Sequence, residues 1–261
     1  MTGERLAETF APIEALIFDM DGLLVDSEPI AEQAMERFLQ LHGHTLRPGT
    51  TERTLGRRVP DAMLVIAEIY GITLPIAELI DTYDQLRLAA LRGKLLPMPG
   101  AAALLTYGRA AGLKLALATS SLRSHADLSL AETRLAGLFD AEATGDDVVN
   151  GKPAPDIFLL AAERLGTPPA ACVVLEDAPA GLAAAAAAGM RRIWVPNIKT
   201  RDLPVAVAVD LTAPDLEAVI PWLETHGVKT PASAEKESFS GMADRHLGAS
   251  DADNRRSPRQ A

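Results

Sequence analysis

The chain of 261 residues is 48% hydrophobic and 23% charged, enough apolar material for one large folded unit and a smaller one. Its formal net charge of −10, without any long block of Lys and Arg, argues against nucleic acid and anionic membranes as partners. It leaves room for a small anionic ligand whose charge is offset locally. The single cysteine, Cys172, excludes an intrachain disulfide, no apolar run nears the ~20 residues of a membrane span, and Met1 to Pro12 lacks a secretory pattern, so a cytoplasmic protein is expected.

In chain order, the apolar run Ala15-Leu16-Ile17-Phe18 stops abruptly at Asp19-Met20-Asp21-Gly22, which reads as a buried strand delivering two acids into a turn. From Ile30 to Leu91 the pattern becomes helical. Ile30, Ala34, Phe38 and Leu41 share one face, as do Ile76, Leu79, Ile80, Tyr83 and Leu86, and no strand lies between them, which gives an inserted helical bundle over residues 27–96. The chain returns at Pro97-Met98-Pro99-Gly100. Helical patterns at Ala101–Ala111, Leu122–Leu135, Asp156–Leu165, Ala180–Ala188 and Asp215–Glu224 then alternate with strand patterns at Lys114–Ala118, Cys172–Leu175, Arg192–Val195 and Val205–Val209. This alternation specifies an α/β protein with a Rossmann-like parallel sheet, built from residues 11–26 and 97–228 and covered by helices on both faces. Residues 229–261 lose apolar periodicity and are expected to form a disordered tail.

Ligands of such sheets bind beyond the carboxyl ends of the strands, and the polar residues collect there. Asp19 and Asp21 are two apart, which directs both carboxylates to one side of an extended segment, while Gly22 permits a sharp turn. One carboxylate can attack as a nucleophile and the other can carry a proton. Bringing a carboxylate to a phosphate dianion requires neutralisation, for which a divalent cation such as Mg2+ is suited. Thr119-Ser120 ends the second strand with hydroxyl and N–H donors, Lys152 sits in a proline-stiffened loop, and Glu176-Asp177 ends the Cys172–Leu175 strand. Each alone is commonplace as a turn, a helix cap or a solvated charge; their shared placement at strand ends is not. The histidines, His42, His44, His125, His226 and His246, lack any nucleophile or ligand pattern and are assigned to surface or packing positions.

Phe18-Asp19-Met20-Asp21-Gly22, Ala118-Thr119-Ser120-Ser121, Gly151-Lys152-Pro153-Ala154-Pro155-Asp156 and Leu175-Glu176-Asp177-Ala178-Pro179 together resemble the motifs of the haloacid dehalogenase superfamily, across Ile13 to about His226. The inserted helices resemble the cap of its β-phosphoglucomutase-like branch. The stretch from Asp19 to Glu28 is similar to phosphatases of 2-deoxyglucose-6-phosphate and pseudouridine-5′-phosphate. The resemblance implies that Asp19 is nucleophile and metal ligand, and that Asp21 is general acid and then base, ligating the metal through its backbone carbonyl. It further implies that Thr119, Ser120, Gly22 and Lys152 hold phosphate, that Asp177 binds Mg2+ and that Glu176 supports it. Dehalogenases of the superfamily lack an acid at the place of Asp21, so phosphorus chemistry is implied. Ala31 and Leu122 stand where the mutases carry a His and a Lys, which weakens a mutase reading. In the cap, Gly56, Arg57 and Arg58 match the segment lowered over the leaving group, and cap closure would exclude water. The expectation is therefore a Mg2+-dependent phosphomonoester hydrolase for a small phosphorylated metabolite, a monomer or small homo-oligomer. A hexose phosphomutase and a non-catalytic binding protein are the alternatives.

Overall fold

In the computed structural model the described residues are 11–229, so the expected tail lies, apart from Lys229, outside them. Six parallel strands form one sheet in the order β3-β2-β1-β4-β5-β6: β1 Ala15–Phe18, β2 Lys114–Ala118, β3 Ala141–Ala143, β4 Cys172–Glu176, β5 Arg191–Trp194 and β6 Leu211–Thr212. The central strand β1 is apolar without alternation because both its faces are covered. Leu16 and Phe18 face one layer with Leu115, Leu117, Val173 and Leu175. Ala15 and Ile17 face the other with Ala116, Ala118, Cys172 and Val174. Leu16, Ile17 and Phe18 are fully buried, each worth roughly 1.5–3 kcal/mol of transfer free energy.

The first layer is closed by α5 (Ala101–Ala110) and α6 (Arg123–Glu132), with α9 (Ile220–Thr225) beyond. The second is closed by α7 (Asp156–Leu165) and α8 (Pro179–Ala187). Its sheet face is made largely of Ala, and α8 presents Ala184 and Ala185 to it, so helix and sheet approach closely; this is the structural use of the Ala-rich segment.

The edge of the sheet departs from the sequence reading. Val205–Val209 alternates between half-buried and exposed residues, as a strand would, but does not pair. Arg192 Nε donates to Ala208 O at 2.6 Å and Arg192 N donates to Asp210 Oδ2 at 2.8 Å, so side chains occupy the edge there and pairing begins only at Leu211. Strand β3 escaped detection because its three residues carry Glu142 at their centre and form no apolar run.

The inserted segment comprises α1 (Glu28–Leu41), α2 (Thr50–Thr54), α3 (Val59–Tyr70) and α4 (Ile76–Leu91). They pack around their own apolar centre of Phe38, Met63, Ile66, Leu79 and Tyr83. Of the expected α1 face, Ile30, Ala34 and Phe38 are buried, whereas Leu41, in the last turn, is 54% exposed and Leu39 is buried in its place. Among the described residues no helix is long and apolar enough to cross a membrane.

Where the chain returns to the sheet, Gly100 precedes α5 with φ +80°, and a Cβ there would lie 2.2 Å from the backbone nitrogen of Glu217. Both the left-handed backbone and the missing side chain are thus required. Gly100→Ala is expected to lower unfolding free energy by about 2 kcal/mol or more, read from urea denaturation; an unchanged midpoint would contradict this close approach.

Candidate active site

Strand register brings the expected residues together. Phe18 pairs with both Leu117 and Leu175, so β1, β2 and β4 end at one level and Asp19, Thr119 and Glu176-Asp177 emerge side by side. Asp19 N continues the ladder by donating to Leu175 O at 3.1 Å. This lies where the strand order reverses between β1 and β4, the crevice at which open α/β sheets bind ligands.

Lys152 is the electrostatic centre. Its Nζ lies 2.6 Å from Asp19 Oδ1, 2.6 Å from Glu176 Oε1 and 3.3 Å from Ala118 O, with the Phe158 ring centroid at 4.9 Å. Glu176 Oε2 accepts from Ala178 N at 3.0 Å, so both its oxygens are engaged. Gly181 makes room for that carboxylate, since a Cβ there would lie 1.7 Å from Oε1.

Asp19, Glu176 and Asp177, all buried, offer carboxylate oxygens within 4.8 Å of one another. Burial pushes the Asp19 carboxyl up to about 8 despite Lys152, and burial together with Glu176 raises Asp177 well above the usual carboxylate range. One ammonium therefore underneutralises three carboxylates, and hard oxygen donors around an excess of negative charge are what a divalent cation fits. With Glu176 engaged, Asp19 and Asp177 are the residues left to hold it.

Asp21 faces different partners. Its Oδ1 accepts from Ser27 Oγ and, at 2.7 Å, from Arg87 Nη2; its Oδ2 accepts from Ser121 Oγ at 2.6 Å and Thr119 Oγ1 at 3.5 Å. Burial favours protonation, but the Arg87 charge and the Ser121 and Ser27 hydrogen bonds outweigh it and hold the carboxyl below its ordinary value. Arg87, on α4, is buried and stays charged, its own burial offset by Asp21 and Tyr83. One turn earlier, Asp84 accepts from Ser124 Oγ at 2.7 Å, and its Oδ1 lies 2.8 Å from His125 Nε2. Helix α4 is thus tied to α6 through Asp84 and to the turn after β1 through Arg87.

The remaining expected residues separate. Gly22 donates its N–H to Val25 O at 2.9 Å and lies against Asp177 and Asn197. Ser120 Oγ donates to Gly56 O at 2.9 Å, joining sheet and inserted helices. Arg57 lines the cavity, with its Nε on Arg53 O at 2.8 Å, whereas Arg58 turns away and bridges Asp61 at 2.9 Å and Val148 O at 2.5 Å. The cavity, about 470 Å³, runs from Asp19 and Lys152 to an apolar end with Met35, Leu46, Leu55 and Met63. Ser27, Ser121, Arg87 and Asn197 were not singled out from sequence. For Arg87 a signal existed: Leu79, Tyr83 and Arg87 recur every four residues, so a charge continues the buried stripe of α4.

Residues 13–189 match the haloacid dehalogenase-like hydrolase family. Protein CbbY of Rhodobacter capsulatus is 37% identical over 217 residues, covering 79% of this chain and 95% of that protein. A probable pseudouridine-5'-phosphatase of Drosophila melanogaster is 38% identical over 187 residues, 69% of this chain and 80% of that one. The crystal structure of CbbY from Rhodobacter sphaeroides in complex with phosphate superposes with a TM-score of 0.72 at 29% identity, covering 79% of this chain and 96% of that chain.

The buried His125 imidazole supplies a pH test. Burial first, then Arg87, push it down to about 4, while Asp84 and Asp21 act the other way. The unfolded chain, with an ordinary value near ~6.5, binds the proton more readily, so the stability of the neutral ring is complete above that pH and is lost as pH falls toward 4. The gap in unfolding free energy between wild type and His125→Gln should shrink between pH 7 and 4.5, by on the order of 3 kcal/mol at most. A pH-independent gap would contradict the assignment.

Proposed function

Because the chain belongs to the haloacid dehalogenase-like hydrolase family, we propose that it is a Mg2+-dependent phosphatase, hydrolysing a small sugar phosphate or nucleoside monophosphate through an aspartyl-phosphate on Asp19. The observation that carries this reading is the division of labour between Asp19 and Asp21, two residues apart yet bound to opposite kinds of neighbour. Asp19 sits among carboxylates against one lysine; Asp21 sits among hydroxyls and an arginine.

Mg2+ held by Asp19, Asp177 and the Asp21 carbonyl would mask the repulsion between nucleophile and phosphate dianion. Asp19 attacks phosphorus and the ester P–O bond breaks, while Asp21 gives a proton to the departing oxygen. Asp21 then takes a proton from water, whose oxygen attacks the acyl phosphate; inorganic phosphate leaves and Asp19 is regenerated. Lys152 and Thr119 bind the oxygens on which charge accumulates.

Asp21 as found is ionised and tied to Arg87, so proton delivery requires that it be protonated and released. A leaving group reaching into the cavity can compete for the guanidinium. Residues 27–96 serve as the cap in this scheme, carrying Arg87 and Arg57 on the cavity wall. Hydrolysis is favoured over phosphomutase action because Ala31 lines the cavity and Leu122 packs on the cap's apolar centre, so neither supplies a proton acceptor or a cation for a second sugar hydroxyl.

Asp19→Asn should lower Mg2+-dependent phosphate release from a panel of phosphorylated metabolites by more than about 10³-fold. Robust turnover, with reversion by deamidation excluded, would contradict the reading. Arg87→Met should reduce kcat/KM for alkyl phosphates by about tenfold or more, and less for p-nitrophenyl phosphate, whose leaving group needs no proton. Equal losses for both would assign Arg87 a purely structural role.

A further inference from the structure

Asn197 lies on the turn after β5 and is half-buried, and its side chain spans the two turns on either side of the acid cluster. Its Nδ2 donates to Asp177 Oδ2 at 2.8 Å and to Gly22 O at 3.2 Å. The orientation of the amide is fixed by its other end. Oδ1 accepts from Lys199 N at 2.8 Å and Thr200 N at 3.2 Å, with Thr200 Oγ1 at 3.4 Å, so the oxygen is saturated by its own turn and the nitrogen must face the site. Asn197 N in turn donates to Thr200 Oγ1 at 3.0 Å, and Thr200 is fully buried, which anchors the turn.

The same segment holds Asp177 at a second point, because Trp194 Nε1 donates to the Asp177 carbonyl at 2.8 Å. Asp177 Oδ1 has no hydrogen-bond partner among the described residues, so one oxygen is fixed and the other left available. Gly22 belongs to this arrangement: any Cβ there would lie 2.6 Å from Asn197 Nδ2 and 2.9 Å from Asp177 Oδ2. A glycine at φ +77° therefore makes the turn and leaves the space the amide fills. An amide also differs in kind from the other donor of the cluster. Lys152 brings a positive charge that competes with a cation, whereas Asn197 orients a carboxylate without neutralising it.

We propose that Asn197 is a positioning residue for the divalent cation, clamping the turns after β1 and β4 at the separation their ligand oxygens need. The inference rests on the proposed cation site and goes beyond it by naming the residue that presets it. Hydrogen-bonding partners of metal ligands typically contribute about 10–100-fold to metal affinity, which sets the scale.

The test is direct binding of Mn2+ to the full chain, followed by the electron paramagnetic resonance signal of the free ion, with Mg2+ affinity obtained by competition. Asn197→Ala should weaken both about tenfold or more, with kcat restored toward wild type once Mg2+ saturates. Lys199→Ala removes the ion pair from this turn to Glu32 at 2.7 Å but keeps the backbone N–H that the Asn197 amide oxygen accepts from, and should not weaken metal affinity. Trp194→Phe, which loses the indole N–H, should weaken binding in the same direction and decides the matter if Asn197→Ala loses its thermal unfolding transition. Unchanged Mn2+ affinity in Asn197→Ala, or an equal loss in Lys199→Ala, would overturn the role of the amide. Failure of the wild type to bind Mn2+ at all would instead overturn the cation site on which it rests.

Discussion

Three carboxylates share a buried space with one ammonium, and the rest of the site follows from that imbalance. Asp19, Glu176 and Asp177 repel one another at short range in a medium that screens poorly, and Lys152 pairs directly with only two of them. A fold maximising its own stability would not choose this arrangement, since burying unbalanced charge costs several kcal/mol per ion before any compensation. The cost is tolerated because sheet, helices and glycines hold the groups in place, and the residual field is one that a divalent cation, and a phosphate with it, would offset.

The geometry is a consequence of packing more than of local preference. Four apolar residues of β1 set its register against β2 and β4, and that register aligns three strand ends. Gly181 and Gly22 act next, each absent a side chain where a carboxylate or an amide must pass. The inserted helices contribute a second tier. Arg87 and Asp84 reach from α4 to Asp21, Ser124 and His125, so the segment that covers the cavity is electrostatically tied to the turn that carries the acid.

Much of this is written in short stretches of sequence. An apolar run broken by Asp19-Met20-Asp21-Gly22 cannot easily be anything but a buried strand running into a polar turn, and the same logic found Thr119 and Glu176-Asp177. The residues that escaped are those whose role depends on distant partners. Arg87 is 66 residues from Asp21, and Asn197 is 20 from Asp177, so nothing in their local surroundings marks them. Val205–Val209 misled for a related reason: its alternation is strand-like, but whether it pairs is decided by Arg192 and Asp210. Arg58 looked equivalent to Arg57 until Asp61, one turn along, captured it.

In the proposed reaction Asp19 Oδ becomes, briefly, an acyl phosphate. Rapid acid quenching of the enzyme with a phosphomonoester labelled in its phosphoryl group, followed by peptide mapping, tests this directly. Label is expected on the peptide containing Asp19, appearing within the first turnover and released by hydroxylamine. Label on another side chain, or none during brisk turnover with accumulation of the intermediate forced by low temperature, would contradict it.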